Sequence, residues 1–330
     1  MNPISSADFP IPPLPASAEG ISVIIPVYNY ARYLECAVNS ALAQAHRPLE
    51  VLIIDDGSTD ATPQIGARLA RDLPGVRYFR QQNAGLSGAR NTGIGLASHP
   101  FVAFLDADDE WLPGMLPAAM AAFRGQPPST GLVACNSFRI DSHGTTIGEK
   151  RLPPRHDCFY TAADILNKTR FMPSCVVTRR SCFDAAGFFD TRLRSSEDRD
   201  MWLRIAAAGH RIMYLSTALV RIRKHDGNMS RHADRMRDNM RRVRRKAFCA
   251  NVVPRSHAGF WLRLEAVDLF QAGWMYWDER RTVRALLYAA ASIAIWPLPL
   301  DRRDLHEPPF FRLRAALRFL VGGLFRKRRA

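Results

Sequence analysis

The chain lacks an apolar stretch long enough to read as a membrane span. The charge-free run from Ala285 to Leu300 includes Pro297 and Pro299 and falls short of the roughly 20 residues a spanning helix needs. The six cysteines, Cys36, Cys135, Cys158, Cys175, Cys182 and Cys249, show no paired C-x-x-C spacing. That removes the usual zinc pattern and leaves a reduced cytosolic setting as the simplest reading. The N-terminus offers no continuous apolar segment of the kind that drives export. Instead Pro3, Pro10, Pro12, Pro13 and Pro15 interrupt residues 1–19, which are expected to form a disordered leader. No glycine-rich phosphate loop follows it, and no Ser/His/Asp arrangement suggests a covalent nucleophile. Acids are also few, with 31 Asp and Glu against 46 Lys and Arg, for a formal charge of +15. Such a balance points to anionic partners. No zinc finger, helix-turn-helix or aromatic RNA-binding motif accompanies it, so nucleic acid is not expected and a membrane surface is favoured.

What the chain does have is acidic residues at the ends of apolar runs. Phe101-Val102-Ala103-Phe104-Leu105 leads into Asp106-Ala107-Asp108-Asp109. A short apolar run bounded by polar residues reads as a buried strand, and strand alternation would point Asp106 and Asp108 the same way. Two converging carboxylates repel unless a proton or cation lies between them, and hard oxygen donors suit Mg²⁺ or Mn²⁺. Val51-Leu52-Ile53-Ile54 ends similarly, in Asp55-Asp56-Gly57-Ser58-Thr59-Asp60. Before it, Ile21 to Ile25 ends in Pro26-Val27-Tyr28-Asn29, and Leu34, Val38, Ala41 and Leu42 then recur at helical spacing. A helical stretch with Ile65 and Leu69, a strand at Val76 to Phe79 and a loop from Gln81 to Asn91 separate the two acidic strands. Strands alternating with helices imply a parallel sheet with its ligand loops along one rim.

These segments carry a family resemblance. Ser22 to Asn29, Asp55 to Asp60, Asn83-x-Gly85-Leu86-Ser87-x-Ala89-Arg90-Asn91 and Asp106 to Asp109 resemble, in order and spacing, the family 2 glycosyltransferases of the GT-A fold. The resemblance implies a Rossmann-like, mostly parallel α/β sheet flanked by helices. It also implies inverting transfer of a sugar from a nucleotide sugar, with a UDP sugar as first choice. By resemblance, Pro26, Tyr28, Asn29, Asp55 and Asp56 surround the nucleoside and Asp106 lies on the ribose side. Asp108, with Asp106, holds Mn²⁺ or Mg²⁺ on the diphosphate, and Arg90 lies near the nucleotide.

A second acidic group is Ser195-Ser196-Glu197-Asp198, followed by Trp202, Ile205 and Gly209 at helical spacing. Ser195 with Asp198 has the form of a capping box, which would make the acids partners of a helix start. The other reading places Asp198 on the inward stripe, where burial would raise a carboxylate toward a useful base. Glu197-Asp198 matches the family's acidic pair, whose Asp is the expected catalytic base. Arg223-x-His225 followed by Ser230 resembles the loop that closes the catalytic domain in many relatives. There Arg223 would reach the diphosphate, and His225 would ligate the metal or hydrogen-bond a phosphate. Trp111 has two readings, stacking on a sugar or packing in the core, of which packing is favoured.

Beyond residue 230 the composition turns basic, with Arg231, Arg235, Arg237, Arg241, Arg242, Arg244, Arg245 and Lys246. Near the end, Phe310, Leu313, Leu317, Leu320 and Leu324 recur at helical spacing among Arg312, Arg314, Arg318, Arg326, Lys327, Arg328 and Arg329, a pattern of an interfacial helix. Such helices either bind a membrane or pack as ordinary core. The expected organisation is a leader (1–19), a catalytic domain (20–230) and a basic helical extension (231–330). The expected protein is a cytoplasmic, peripheral membrane glycosyltransferase acting on a glycan or lipid-linked acceptor. Two alternatives remain, a sugar-1-phosphate nucleotidylyltransferase and a catalytically silent basic binder on the same fold.

Overall fold

The computed structural model describes residues 19–47, 49–147, 156–167, 169, 171–225, 233–298 and 311–326, the last with side chains to Val321. The proline-rich leader through residue 18, Ser230, Arg231, Phe310 and the side chains of Leu324 and of the terminal cations from Arg326 lie outside this description. Two compact units divide at Asp226 and Gly227.

In the first unit the sheet is built from apolar runs. β1 (Ile21–Val27), β2 (Leu49–Asp55) and β4 (Phe101–Phe104) are buried along their whole length. β3 (Val76–Arg80) flanks them, and all four are parallel in the order β3-β2-β1-β4. The sheet continues antiparallel from β4 to β8 (Val176–Arg179) and on to β6 (Thr130–Ile140), then parallel from β6 to β9 (Arg211–Arg223), while β5 (Glu110–Trp111) and β7 (Cys158–Tyr160) pair antiparallel with β9. Pro26 fits inside β1 because the pairing with β4 stops at Ile24, so no ladder bond needs its missing N–H.

Helices cover the sheet. α1 (Ala31–Leu42) buries Tyr33, Leu34, Ala37, Val38 and Ala41, the stripe its 3.6-residue period dictates. α2 (Thr62–Asp72) and α3 (Gly85–Leu96) follow their strands. The stretch expected as a loop through Asn91 is therefore helical from Gly85. α3 lies tight on β1, since a Cβ at Gly93 would stand 2.4 Å from Ile24. α4 (Met115–Arg124), α5 (Ala162–Asn167), a 3-10 turn (Pro173–Cys175) and α6 (Ser181–Ala186) lead to α7 (Glu197–Ala207). On α7, Trp202 is fully buried and meets Phe104, Phe171 and Phe189 at ring separations of 6.2–6.4 Å.

The second unit is helical, with α8 (Ala233–Cys249), α9 (Ala258–Asp278), α10 (Thr282–Ile295) and α11 (Phe311–Arg326). Phe270, Tyr276 and Trp277 of α9, Ala285 and Ala289 of α10, and Ala315 and Phe319 of α11 share one core. Two basic residues are internal rather than surface cations. Arg244 pairs with Asp268 at 2.5 Å, and Arg312 donates to the carbonyls of Ser292 (2.9 Å) and Leu298 (2.5 Å). Among the described residues no helix is long and apolar enough to cross a membrane.

Candidate active site

The carboxyl ends of β1, β2 and β4 open into loops that hold one another. After β1, Tyr28 is exposed and Asn29 adopts the left-handed φ of 57°. The Asn29 side-chain oxygen Oδ1 accepts the N–H groups of Thr59 (2.7 Å) and Asp60 (3.3 Å), and the Asn29 backbone N–H donates to Ser58 Oγ at 3.0 Å. Asp55 is buried. Its carboxylate accepts the Ser58 N–H (2.8 Å) and the Tyr78 hydroxyl (2.6 Å), so its role is to fix the turn. Gly57 makes that turn at φ 80°, where a Cβ would crowd the Asn83 nitrogen at 3.1 Å. Asp56 accepts from Gln81 Nε2 (2.7 Å) and from the N–H groups of Ala84 and Gly85 (2.8 Å each), tying β2 to the start of α3. Pro26 is buried within β1, which leaves Tyr28 as the exposed ring of this loop.

Asp106 to Asp109 form a turn, with the Asp109 N–H donating to the Asp106 carbonyl at 2.9 Å. Strand alternation therefore does not orient these acids, because β4 has already ended at Phe104. Ser174 helps fix the turn instead. Its hydroxyl oxygen accepts the Asp106 N–H at 3.1 Å while its O–H donates to Asp109 Oδ2 at 2.5 Å. Asp109 is thereby turned into the interior, where burial and the charges of Asp108 and Asp106 push its carboxyl well above the usual range. Asp108 is raised as well, first by burial and then by Asp106. Its Oδ2 meets His225 Nε2 at 2.9 Å, and that imidazole lies 5.5 Å from the Tyr30 ring and 5.7 Å from that of Tyr33. Burial and the charges of Asp108 and Asp106 also push the Tyr30 hydroxyl upward, which marks it as part of the same electrostatic cluster.

Among the described residues no group of three or more acidic, histidine or cysteine side chains is arranged to hold a metal by itself. Asp106 and Asp108 nevertheless have the donor chemistry of Mg²⁺ and Mn²⁺ sites, which take one or two carboxylates and complete their shell with phosphate and water. A cation there would relieve the repulsion between Asp106 and Asp108.

The third part of the rim is the start of α7. Ser196 precedes the helix in the left-handed region at φ 60°, and no side-chain cap bond forms. The helix therefore starts one residue later than a capping box of Ser195 and Asp198 requires. The inward face carries Glu197, Asp200, Met201, Trp202 and Ile205, whereas Asp198 is half-buried. This corrects the placement of Asp198 on the buried stripe, because the first turn lies at the rim and Gly209 falls past the helix end. Glu197 is the acid that burial raises, with Arg90 pulling it back and Asp198 pushing it up. Arg90 is itself buried and bridges Glu197 Oε1 and Asp106 Oδ1, each at 2.7 Å.

Arg223 departs from the expectation that it is available to a diphosphate. Its Nε donates to the Asp108 carbonyl at 2.8 Å, Nη1 to the Asp141 carbonyl at 3.1 Å and Nη2 to Glu110. It clamps the end of β9 to the acidic turn. Trp111 is core, with its indole N–H donating to the Ser174 carbonyl at 2.7 Å. Sequence reasoning missed Tyr30 and Ser174. Tyr30 directly follows the recognised loop, but Ser174 has no periodic or motif signal around it.

The sequence model of the family described as glycosyl transferase family 2 matches residues 22–187, half of the chain. The chain belongs to this family. An uncharacterized glycosyltransferase of Nostoc sp., alr2836, is 47% identical over 105 residues, covering 32% of this chain and 33% of that protein. Chondroitin synthase of Escherichia coli is 32% identical over 190 residues, 57% of this chain and 27% of that one. The chain thus spans a third or less of the length of these curated relatives. Among solved structures, S. aureus TarS 1-349 in complex with UDP-GlcNAc superposes with a TM-score of 0.57 at 20% identity, covering 92% of each chain. The mannosyltransferase PcManGT of Pyrobaculum calidifontis, in complex with GDP-Man and Mn²⁺, gives 0.60 at 19% identity over 93% of this chain and 87% of that one. The fold is that of the GT-A glycosyltransferases.

Proposed function

We propose that the chain transfers a sugar from a nucleoside diphosphate sugar to an acceptor hydroxyl, with inversion at the anomeric carbon. The observation that carries this reading is the Arg90 bridge. It ties Asp106, at the nucleotide side of the rim, to Glu197, the neighbour of the candidate base Asp198. Donor grip and proton acceptor thereby share one rigid frame. The solved relatives bound to UDP-GlcNAc and to GDP-Man with Mn²⁺ support a nucleotide-sugar donor, and a UDP sugar is the first choice.

In this reading Tyr28 and the Asn29 turn flank the nucleoside, with Asp56 fixing the loop beside it. Asp106 and Asp108 would hold Mn²⁺ or Mg²⁺, with His225 hydrogen-bonded to Asp108. When bound, such a cation neutralises charge on a leaving diphosphate. Asp198 accepts the proton of the acceptor hydroxyl as its oxygen attacks from the opposite face of the sugar, and a single displacement inverts the centre. Arg90 and Glu197 keep the two halves in register, and Arg223 holds the acidic turn. The acceptor is a glycan or a lipid-linked glycan at the cytoplasmic face of a membrane, as in cell-surface polysaccharide or glycolipid assembly.

The test is a screen of UDP, GDP and dTDP sugars with Mn²⁺ or Mg²⁺. It reads nucleotide release and the anomeric configuration of the product by NMR. Release with an inverted product is the expected result. Failure of every donor to bind or turn over, or a retained configuration, would overturn the reading.

A further inference from the structure

We propose that the second unit carries a docking face for an anionic lipid surface, made of the exposed apolar stripes of α10 and α11 and the arginines beside them. Both helices carry an outward apolar stripe besides the one that packs on the core. α10 turns its small residues Ala285, Ala289 and Ser292 into the core, while Val283 is 70% and Leu287 63% exposed. The same outer stripe continues through Ala290 and Ala294 to Leu298 without a charge. α11 buries Arg312, Ala315 and Phe319, while Leu313, Leu317, Leu320 and Val321 are each about half exposed. A water-facing stripe normally carries polar residues, and exposed large apolar side chains gathered on neighbouring helices mark a binding face.

The charge beside the stripe selects the occupant. Arg314 and Arg318 follow Leu313 and Leu317 by one position and are exposed with them. Arg312 being internal, the sequence from Leu313 to Arg329 holds six further cations and no acid. A second copy docking through the same face would bring two cationic patches together, because a two-fold contact uses the same patch of both copies. Acidic headgroups above an acyl layer answer both the arginines and the leucines.

Flotation of the full chain tests this with phosphatidylcholine vesicles, with and without phosphatidylserine, at low and high salt. The variants are Leu313→Glu with Leu317→Glu, Val283→Glu with Leu287→Glu, and Arg314→Ala with Arg318→Ala. All six positions are exposed, although the Arg318 guanidinium also lies over the Trp274 ring at 5.7 Å, so circular dichroism and thermal melting of each variant check that the fold is kept. The expected result is flotation that needs phosphatidylserine and weakens with salt. Either glutamate pair should reduce partitioning by at least about tenfold, and the alanine pair should weaken the preference for phosphatidylserine. Parent-like flotation of both glutamate pairs, equal flotation on neutral vesicles, or a lipid-free dimer that the glutamate pairs dissociate would overturn it. The readout involves no sugar transfer, so it stands apart from the test of the proposed activity.

Discussion

Arg90 on α3 reaches Glu197, 107 residues away at the start of α7, in a 2.7 Å ion pair. Its other guanidinium nitrogen holds Asp106 at the same distance. One buried cation thus offsets two carboxylates from different parts of the chain. Such a bridge is a weak source of net stability but is costly to break, since removal strands the partner charge in a low dielectric.

Arg90→Ala should therefore destabilise the protein by about 3–5 kcal/mol, read as a large fall in melting temperature. Arg90→Lys keeps the charge but replaces a planar fork that reaches two ways with a single point donor. That variant should fold, with transfer reduced more in kcat than in KM. Parent-like kcat for Arg90→Lys would remove the positioning role.

Asp198 and its neighbour separate chemistry from architecture. Asp198→Asn should leave folding and nucleotide affinity unchanged, because its acceptance of the Arg199 N–H at 2.7 Å survives the change. Transfer should fall by about 10² to 10⁴. Glu197→Gln instead weakens the Arg90 bridge and should lower the melting temperature as well as the rate. Calorimetry with the nucleotide and rate assays on both variants check the contrast, and near-normal transfer by Asp198→Asn would dismiss it as the base.

The parallel half of the sheet was legible because β1, β2 and β4 are buried on both faces and so read as uninterrupted apolar runs. The acidic turn was legible as composition but not as geometry. Its shape depends on Ser174, 65 residues beyond Asp109, and on Arg223, whose N–H donates to Asp109 from β9. Long-range partners of that kind leave no local pattern. Asp198 was misplaced for a related reason: helical periodicity gives the stripe but not where the rim begins. On α11 the leucine period was visible, yet only the packing of Phe319 against Trp274 and Trp277 shows which side faces the core.

Metal dependence is the expected outcome of the proposed role of Asp106 and Asp108. Asp108→Asn and chelation by EDTA should each remove nearly all transfer, and Mn²⁺ or Mg²⁺ should restore the chelated parent but not the variant. Binding of the cation alone, followed by calorimetry, gives a second reading. Full turnover in EDTA would sink the assignment.

Asp109 supplies a pH prediction whose sign can be worked out. Its carboxyl is raised in the folded protein by burial first and by Asp108 and Asp106 next, so the native state binds the proton more tightly than the unfolded chain does. The corresponding stability is fully present below the unfolded value of about 3.9 and is lost as pH rises through the folded value. Asp109→Asn removes the penalty while its carbonyl oxygen still accepts the Arg223 N–H, and the Ser174 hydroxyl can rotate to accept from the new amide. The variant should therefore melt higher than the parent at pH 7 to 8 in metal-free buffer, with the gap closing toward pH 4. Mn²⁺ should raise the parent more than the variant at neutral pH, because the cation relieves the same repulsion among the three carboxylates. Melting curves across that range, with and without Mn²⁺, decide it. A gap that widens toward acid would show that Asp109 is held as a stabilised carboxylate instead.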